Sequence, residues 1–408
     1  MPDPEPSADE PSIPPPQRLK LVTRANHLFR RLRDVGTDRD TAGNRTLLYS
    51  HYAALVLLGM FNPAFQTLRG LHQASTLKRV QKKLGVGRAS LGSLSESTAV
   101  FDPERLPPII DELVADLPAS VSGPGPRRGV PDTIPQELAA KLVAVDGTAV
   151  RALPQIVRAT ADGAWKLHLH FRPLRGLPVA PILTPGAVDE RDVLALTVDP
   201  GCVYIADRGY ERYGLFNRIV RAGSDYVIRI QNRPVEVIET RPVSPAAVAA
   251  RVVSDEVVTL GPDGTAHRVA GVDHPVRRIV IAGRDRGRVR TDRTNADVIV
   301  LVTNRVDIPA EVIAAIYALR WSIELFFRFL KQVLGCKRLL SGKPDAVAIQ
   351  VYCALIACLL LAQVTGGRVT MDHFRLICLY LQGWADDEEL IRGLTAKPKA
   401  KPPPKGNA

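Results

Sequence analysis

The chain has 408 residues, enough for two or three domains with real cores. Its formal net charge is +12, from 54 Lys and Arg against 42 Asp and Glu, so a polyanion is the expected partner. The five cysteines (202, 336, 353, 358 and 378) include no C-x2-C pair, which argues against a zinc site or a disulfide framework and for core thiols in a reducing compartment.

Residues 1–16 are Pro-rich and lack an apolar core, so they read as a disordered tail rather than a signal peptide. Residues 17–117 read as a helical domain. Arg18, Lys20, Arg24, Arg30, Arg31 and Arg33 punctuate its first helix. A second helix is expected near Leu47–Met60, and more around Phe65–Leu84. The Gly/Ser-rich run from Leu84 to Leu106 reads as a turn between helical pieces. Small helices with basic residues suit a helix-turn-helix DNA-binding module; a plain helical bundle is the alternative. Residues 118–137 are rich in Pro and Gly and form the expected linker.

Lys141 to Val145 reads as a short buried strand that Asp146-Gly147-Thr148 ends or bends. The stretch 165–171 alternates like a strand, and 179–185 continues that style. His168 and His170 share one strand face. They could be a metal pair, but no third ligand stands nearby, so a structural or DNA-facing role is preferred. CVYIADRGY follows as another buried strand, with Asp207 at its end. A helix is expected from Glu211 to Ala222, and a strand over 226–231.

Between Gln231 and Val298 lie short alternating segments, which predict a mostly β insertion at about 232–296. Arg277, Arg278, Arg284, Arg286, Arg288, Arg290 and Arg293 crowd its second half. Such spacing can line a phosphate track or protect a charged edge strand. Residues 298–304 then return as a buried strand.

Residues 307–335 read as one long helix, with Asp307 and Pro309 as the start signal and Gly335 as the stop. At the helical period, Tyr317, Arg320, Glu324 and Lys331 fall within about 60° of arc. The neighbouring arc holds Ile316, Leu319, Ile323, Phe326, Phe327, Leu330 and Leu334. A carboxylate among cations beside a buried face suits metal-dependent phosphoryl transfer. Ordinary i,i+4 pairs on a solvated face, Arg320–Glu324 and Glu324–Arg328, are the alternative.

Beyond Gly335, residues 341–392 read as helices that supply packing or a dimer surface. The most apolar run, Ala346 to Val364, is read as a buried helix rather than a membrane span. The remainder, 393–408, is a basic, Pro-rich tail expected to be disordered. These features describe a soluble cytoplasmic protein.

The spacing Tyr317-x2-Arg320-x3-Glu324-x6-Lys331, with Trp321 directly after Arg320, resembles the Y-R-E-K signature of DDE transposases from bacterial insertion sequences. The D-G-T context of Asp146 and the A-D-R-G-Y context of Asp207 resemble the same family, so the likeness covers roughly 140–340. The resemblance implies an α/β fold: a ribonuclease H-like catalytic core over 138–340, carrying the β insertion, preceded by the helical domain and followed by the C-terminal helices. It implies that Asp146, Asp207 and Glu324 bind two Mg²⁺ ions, with Mn²⁺ as a substitute. Tyr317, Arg320 and Lys331 would grip DNA phosphates, and Trp321, Arg284, Arg286, Arg288 and Arg290 would add DNA contacts. The implied activity is cutting DNA at the ends of an insertion sequence and joining the 3′ ends to target DNA. The implied partners are double-stranded DNA, as element ends and target, and a second copy of the chain in the DNA complex, on the nucleoid and away from membranes. A ribonuclease H-like nuclease without strand transfer, and a catalytically dead DNA-binding derivative, are the rival readings.

Overall fold

The structure is a computed structural model that describes residues 21–33, 38–41, 43, 45–118, 133–151, 164–261, 271–283, 298–335, 339–341, 343–365 and 369–395. Its centre is one sheet. The strands are β1 (Leu142–Arg151), β2 (Ala164–Arg172), β3 (Leu177–Pro185), β4 (Val203–Ala206), β5 (Asp225–Ile230), β6 (Glu236–Thr240), β7 (Val252–Thr259), β8 (Val276–Ala282) and β9 (Val298–Thr303). Their spatial order is β3-β2-β1-β4-β5-β9-β8-β7-β6. β1, β4 and β5 run parallel, and the other neighbouring pairs are antiparallel.

Alternation along the central strands divides the apolar interior in two. Leu142, Ala144, Val203 and Ile205 join one core, and Val143, Val145, Tyr204 and Ala206 join the other. Among the described residues, seven helices precede the sheet: α1 (Leu21–Phe29), α2 (Tyr49–Phe61), α3 (Leu68–Thr76), α4 (Lys78–Leu84), α5 (Leu91–Val100), α6 (Pro107–Asp116) and α7 (Gln136–Lys141). Among the same residues, three interrupt it: α8 (Glu190–Leu196), α9 (Tyr213–Arg221) and α10 (Pro245–Ala249). Of those described, five follow: α11 (Ala310–Ala318), α12 (Trp321–Val333), α13 (Pro344–Thr365), α14 (Met371–Gln382) and α15 (Asp387–Thr395). α11, α12 and the helices near both ends of the chain pack into the first core, while α8 and α9 pack into the second.

The strands expected around both Asp are present, but β1 does not end or bend at Asp146. It pairs with β4 only over Leu142–Ala144, then continues beside β2 to Arg151. Asp146 therefore lies where β1 parts from β4, inside a strand still held by its other neighbour. The segments of the expected insertion extend this same sheet through β9.

Arg277 and Arg278 do not line an open phosphate track. Arg277 is 3% exposed; its Nε and Nη2 donate to Asp255 at 2.7 and 2.6 Å, and Nη1 donates to the Ile308 carbonyl. Arg278 pairs with Glu256, its direct cross-strand neighbour, at 2.7 Å. Both side chains are taken up by acids of β7, as cross-strand pairing favours. Arg284, Arg286, Arg288, Arg290 and Arg293 lie outside the described residues.

The run from Leu84 to Leu106 is more than a turn. It contains α5, capped by Ser90, whose Oγ accepts from the Ser93 amide at 3.0 Å. Between Phe65 and Leu84 the chain breaks at Leu77, which is extended between α3 and α4. At the far end α15 continues to Thr395, three residues into the expected tail.

α13 is long and apolar enough to cross a membrane by length and composition, with a mean hydropathy of 2.3. Yet 89% of its apolar window is buried, against α2, α6 and β3 among others. An apolar helix covered on all sides is what a large core requires.

Candidate active site

Asp207 directly follows β4 and Asp146 sits on the adjacent β1, so both carboxylates lie along one line at the C-terminal end of the parallel strands. The Gly147 amide donates to Asp146 Oδ1 at 2.8 Å, and the Gly209 amide donates to Asp207 Oδ1 at 2.8 Å. Both side chains are half-buried. Burial, and then the nearby charge of Asp207, push the Asp146 carboxyl up to about 7.

The helix expected over 307–335 is two helices. Asp307 does not cap the first; it pairs with Arg305, and Pro309 stands at the start of α11. Between α11 and α12 the backbone stays right-handed but tightens. Arg320 N bonds Tyr317 O, and Ser322 N bonds Leu319 O, both at 3.0 Å. Ser322 Oγ also donates to the Leu319 carbonyl at 2.6 Å, so that carbonyl is held by a side chain at the break. Gly335 is left-handed (φ +66°) at the end of α12, where a stop was expected.

Arg320 of this segment faces the carboxylates. Arg320 Nη1 lies 3.9 Å from Asp146 Oδ2, and Nη2 donates to Glu324. Arg320 thus stands between the β1 carboxylate and the α12 carboxylate. Tyr317 is half-buried beside it; burial raises its hydroxyl pKa, with Arg320, Arg229 and Asp207 as its charged neighbours. Lys331 is half-buried further along α12. Trp321 is 47% exposed at the start of α12. The i,i+4 pair considered from the sequence, Arg320–Glu324, does form, but it also reaches across to the sheet.

Among the described residues, no three His, Cys, Asp or Glu side chains are already gathered into a metal cage. The donor set still fits a hard divalent cation. Asp146, Asp207 and Glu324 offer oxygen ligands from three elements. Arg320 supplies positive charge beside two of them here.

His168 and His170 do not form a metal pair. His168 Nε2 is 2.8 Å from Thr184 Oγ1, and His170 Nε2 is 3.2 Å from Thr197 Oγ1. Burial lowers the His170 imidazole to about 4, so it is neutral.

One acidic residue of this region was not foreseen. Glu190 opens α8, after Asp189, whose Oδ1 accepts from the Arg191 amide at 2.9 Å. Pro185-Gly186 followed by Asp189-Glu190 is a turn and then a cap with an acidic first turn, a readable helix start. At seven residues, α8 is too short to show a helical period.

The family described as Transposase DDE domain matches residues 138–360, more than half of the chain. The chain belongs to the DDE transposase family. The matched stretch of this family member contains Asp146, Asp207 and Glu324. Protein y4zB of Sinorhizobium fredii, named as a transposase, is 30% identical over 221 residues, which is 53% of this chain and 58% of that protein. A protein of Geobacillus stearothermophilus, named as a transposase for insertion sequence element IS5377, is 27% identical over 197 residues, 48% of each chain. The chain thus spans about half the length of these relatives, 58% and 48%. The piggyBac transposase in its synaptic complex with hairpin DNA aligns over 95% of this chain and 80% of its own, at 9% identity and a TM-score of 0.42. A likeness that loose does not establish a shared fold.

Proposed function

We propose that this DDE transposase family member serves a bacterial insertion sequence. It binds the element's terminal inverted repeats, cuts DNA at the element ends and joins the 3′ ends to target DNA. The observation that carries this reading is the approach of three elements to one sheet edge: β1 with Asp146 and α12 with Glu324, joined through Arg320, and β4 with Asp207 on the strand beside Asp146. The strand order β3-β2-β1-β4-β5, with only β2 reversed against its neighbours β1 and β3, supports a ribonuclease H-like core in the first five strands.

In this reading Asp146, Asp207 and Glu324 hold two Mg²⁺ ions, or Mn²⁺ in their place. Bound cations would supply charge at the scissile phosphate and activate a water or a 3′-hydroxyl. The chain's own cations then position the DNA. Arg320 gives up its carboxylates for a phosphate, which a guanidinium binds in a fork. Lys331 and Tyr317 hold phosphates on the same row. The exposed ring of Trp321 offers a face for an unpaired base. The helical region 17–117 binds the terminal repeats, residues 341–392 support a homodimer on DNA, and the protein works on the nucleoid in the cytoplasm.

The test uses Asp146→Asn. Mg²⁺-dependent nicking of the cognate element end should disappear while gel-shift binding of that DNA stays nearly intact, because phosphate contacts carry most of the affinity. Loss of both together would mean that Asp146 is structural. A strand-transfer assay with a pre-cut end then separates a transposase from a nuclease, since only the former joins the end to target DNA.

A further inference from the structure

A fourth carboxylate reaches the Asp146 edge from the opposite face of the sheet. Glu190 projects from α8, and its Oε1 lies 3.0 Å from Lys166 Nζ on β2. The buried Tyr210 hydroxyl lies near it; burial, and then the Glu190 charge, raise the Tyr210 pKa. This group lies flat on β1 at the residue after Asp146. A Cβ at Gly147 would come within 3.0 Å of Glu190 Cδ and Oε1, and within 3.2 Å of Lys166 Cδ. A side chain at Gly147 would make the pair shift by a few tenths of an ångström.

One further feature points to a guest at this place. Asp146, Glu190, Tyr210 and His168 line one small cavity. His168 is 5% exposed, and its Nδ1 has no hydrogen-bond partner. A buried polar atom without a partner in a cavity shared with Glu190 suits a polar or hydrated occupant rather than an apolar filling.

We propose that Glu190 is a fourth acidic residue of the active site, helping to hold the divalent cation on the flank of Asp146 opposite Glu324, with Lys166 as its counter-ion when no cation is bound. This rests on the transposase reading above. The charge logic is direct. Lys166 cancels Glu190 in the cation-free protein, as Arg320 offsets Asp146 and Glu324 on the other face.

The test is Mn²⁺ binding by the full chain, followed by electron paramagnetic resonance, with melting temperature as the control for folding. Glu190→Gln should weaken Mn²⁺ binding about tenfold, because it leaves the Lys166 charge uncancelled near the cation. Lys166→Met should tighten it, because it leaves Glu190 free. A clamp that only ties α8 to β1 would be broken equally by both variants. In that case affinity would move alike in both or not at all, and the proposal would be overturned. Should Glu190→Gln fail to fold, Lys166→Met decides alone, and unchanged or weaker binding overturns the idea. Asp146→Asn separates the two levels of inference. If it loses Mn²⁺ while Glu190→Gln binds as the wild type does, only the role of Glu190 falls. If the wild type takes up no Mn²⁺, the metal reading and this one fall together.

Discussion

Arg320 is the residue on which the site turns. Its guanidinium lies between Asp146 and Glu324, in a region where burial and Asp207 already raise the Asp146 carboxyl to about 7. Arg320→Ala removes the positive charge from that cluster, so the melting temperature in EDTA should fall. Mg²⁺ should restore more of it than in the wild type, since the cation replaces the lost charge. Nicking should fall by about tenfold to a thousandfold, roughly 1.4–4 kcal/mol, through loss of a charge-assisted phosphate contact. Lys331→Ala should lower nicking in the same range. Wild-type nicking rates in both variants would remove the phosphate-gripping role. His170 makes a separate prediction. Burial holds its imidazole at about 4, below the ordinary value of 6.5. As pH falls from 6.5 towards 4, the unfolded chain takes up a proton that the folded chain refuses, so stability drops over that window. In His170→Phe the slope of melting temperature between pH 7 and 5 should be shallower. An unchanged slope would place the acid sensitivity elsewhere.

At the scale of elements, the short break between α11 and α12 sets which way the functional row faces. Tyr317 lies before the break and Arg320 at it, while Glu324 and Lys331 lie after it. The tightened turn lets one helical stretch serve as two rigid pieces, each buried on its apolar side. α12 is anchored by Phe326, which is fully buried and packs its ring against Phe171 of β2, centroids 5.2 Å apart. Phe326→Ala should cost about 3–5 kcal/mol by leaving a cavity. Denaturant unfolding of Phe326→Ala beside Lys331→Ala separates the two faces of α12. The first should be strongly destabilised with its site chemistry intact, and the second should lose cleavage with little change in stability. A stable Phe326→Ala would mean that the core relaxes around the loss.

At the scale of the whole molecule, the sheet is larger than the part that carries the carboxylates. β9, β8, β7 and β6 extend it beyond β5, and Arg277 ties that extension to the loop entering α11 through the Ile308 carbonyl. Arg277 and Asp255 are 3% and 4% exposed. Breaking such a buried pair strands a charge, so Arg277→Met should cost about 3–5 kcal/mol. The double variant Arg277→Met with Asp255→Leu should recover much of that loss, because it removes both charges together. Thermal unfolding of the single and double variants checks this. Equal loss in both would mean that the contact with Ile308 matters more than the ion pair.

The legible parts of this protein were those written in a few neighbouring residues. The helical character of the stretch carrying Tyr317, Arg320, Glu324 and Lys331 follows from the helical period, although the chain makes it two helices. The buried strands before Asp207 and Asn304 follow from short apolar runs. None of these needs a partner distant in sequence. What only the tertiary structure decided depends on such partners. β1 passes through Asp146 because β2 keeps pairing with it after β4 has ended. Arg277 is buried rather than offered to phosphate because β7 presents Asp255 beside it and Ile308 lies within reach. Gly147 and Glu190 meet across 43 positions of sequence, through a helix of seven residues that has no period to read. Local pattern selects the elements, whereas sheet register and the packing of distant side chains select which charges face one another.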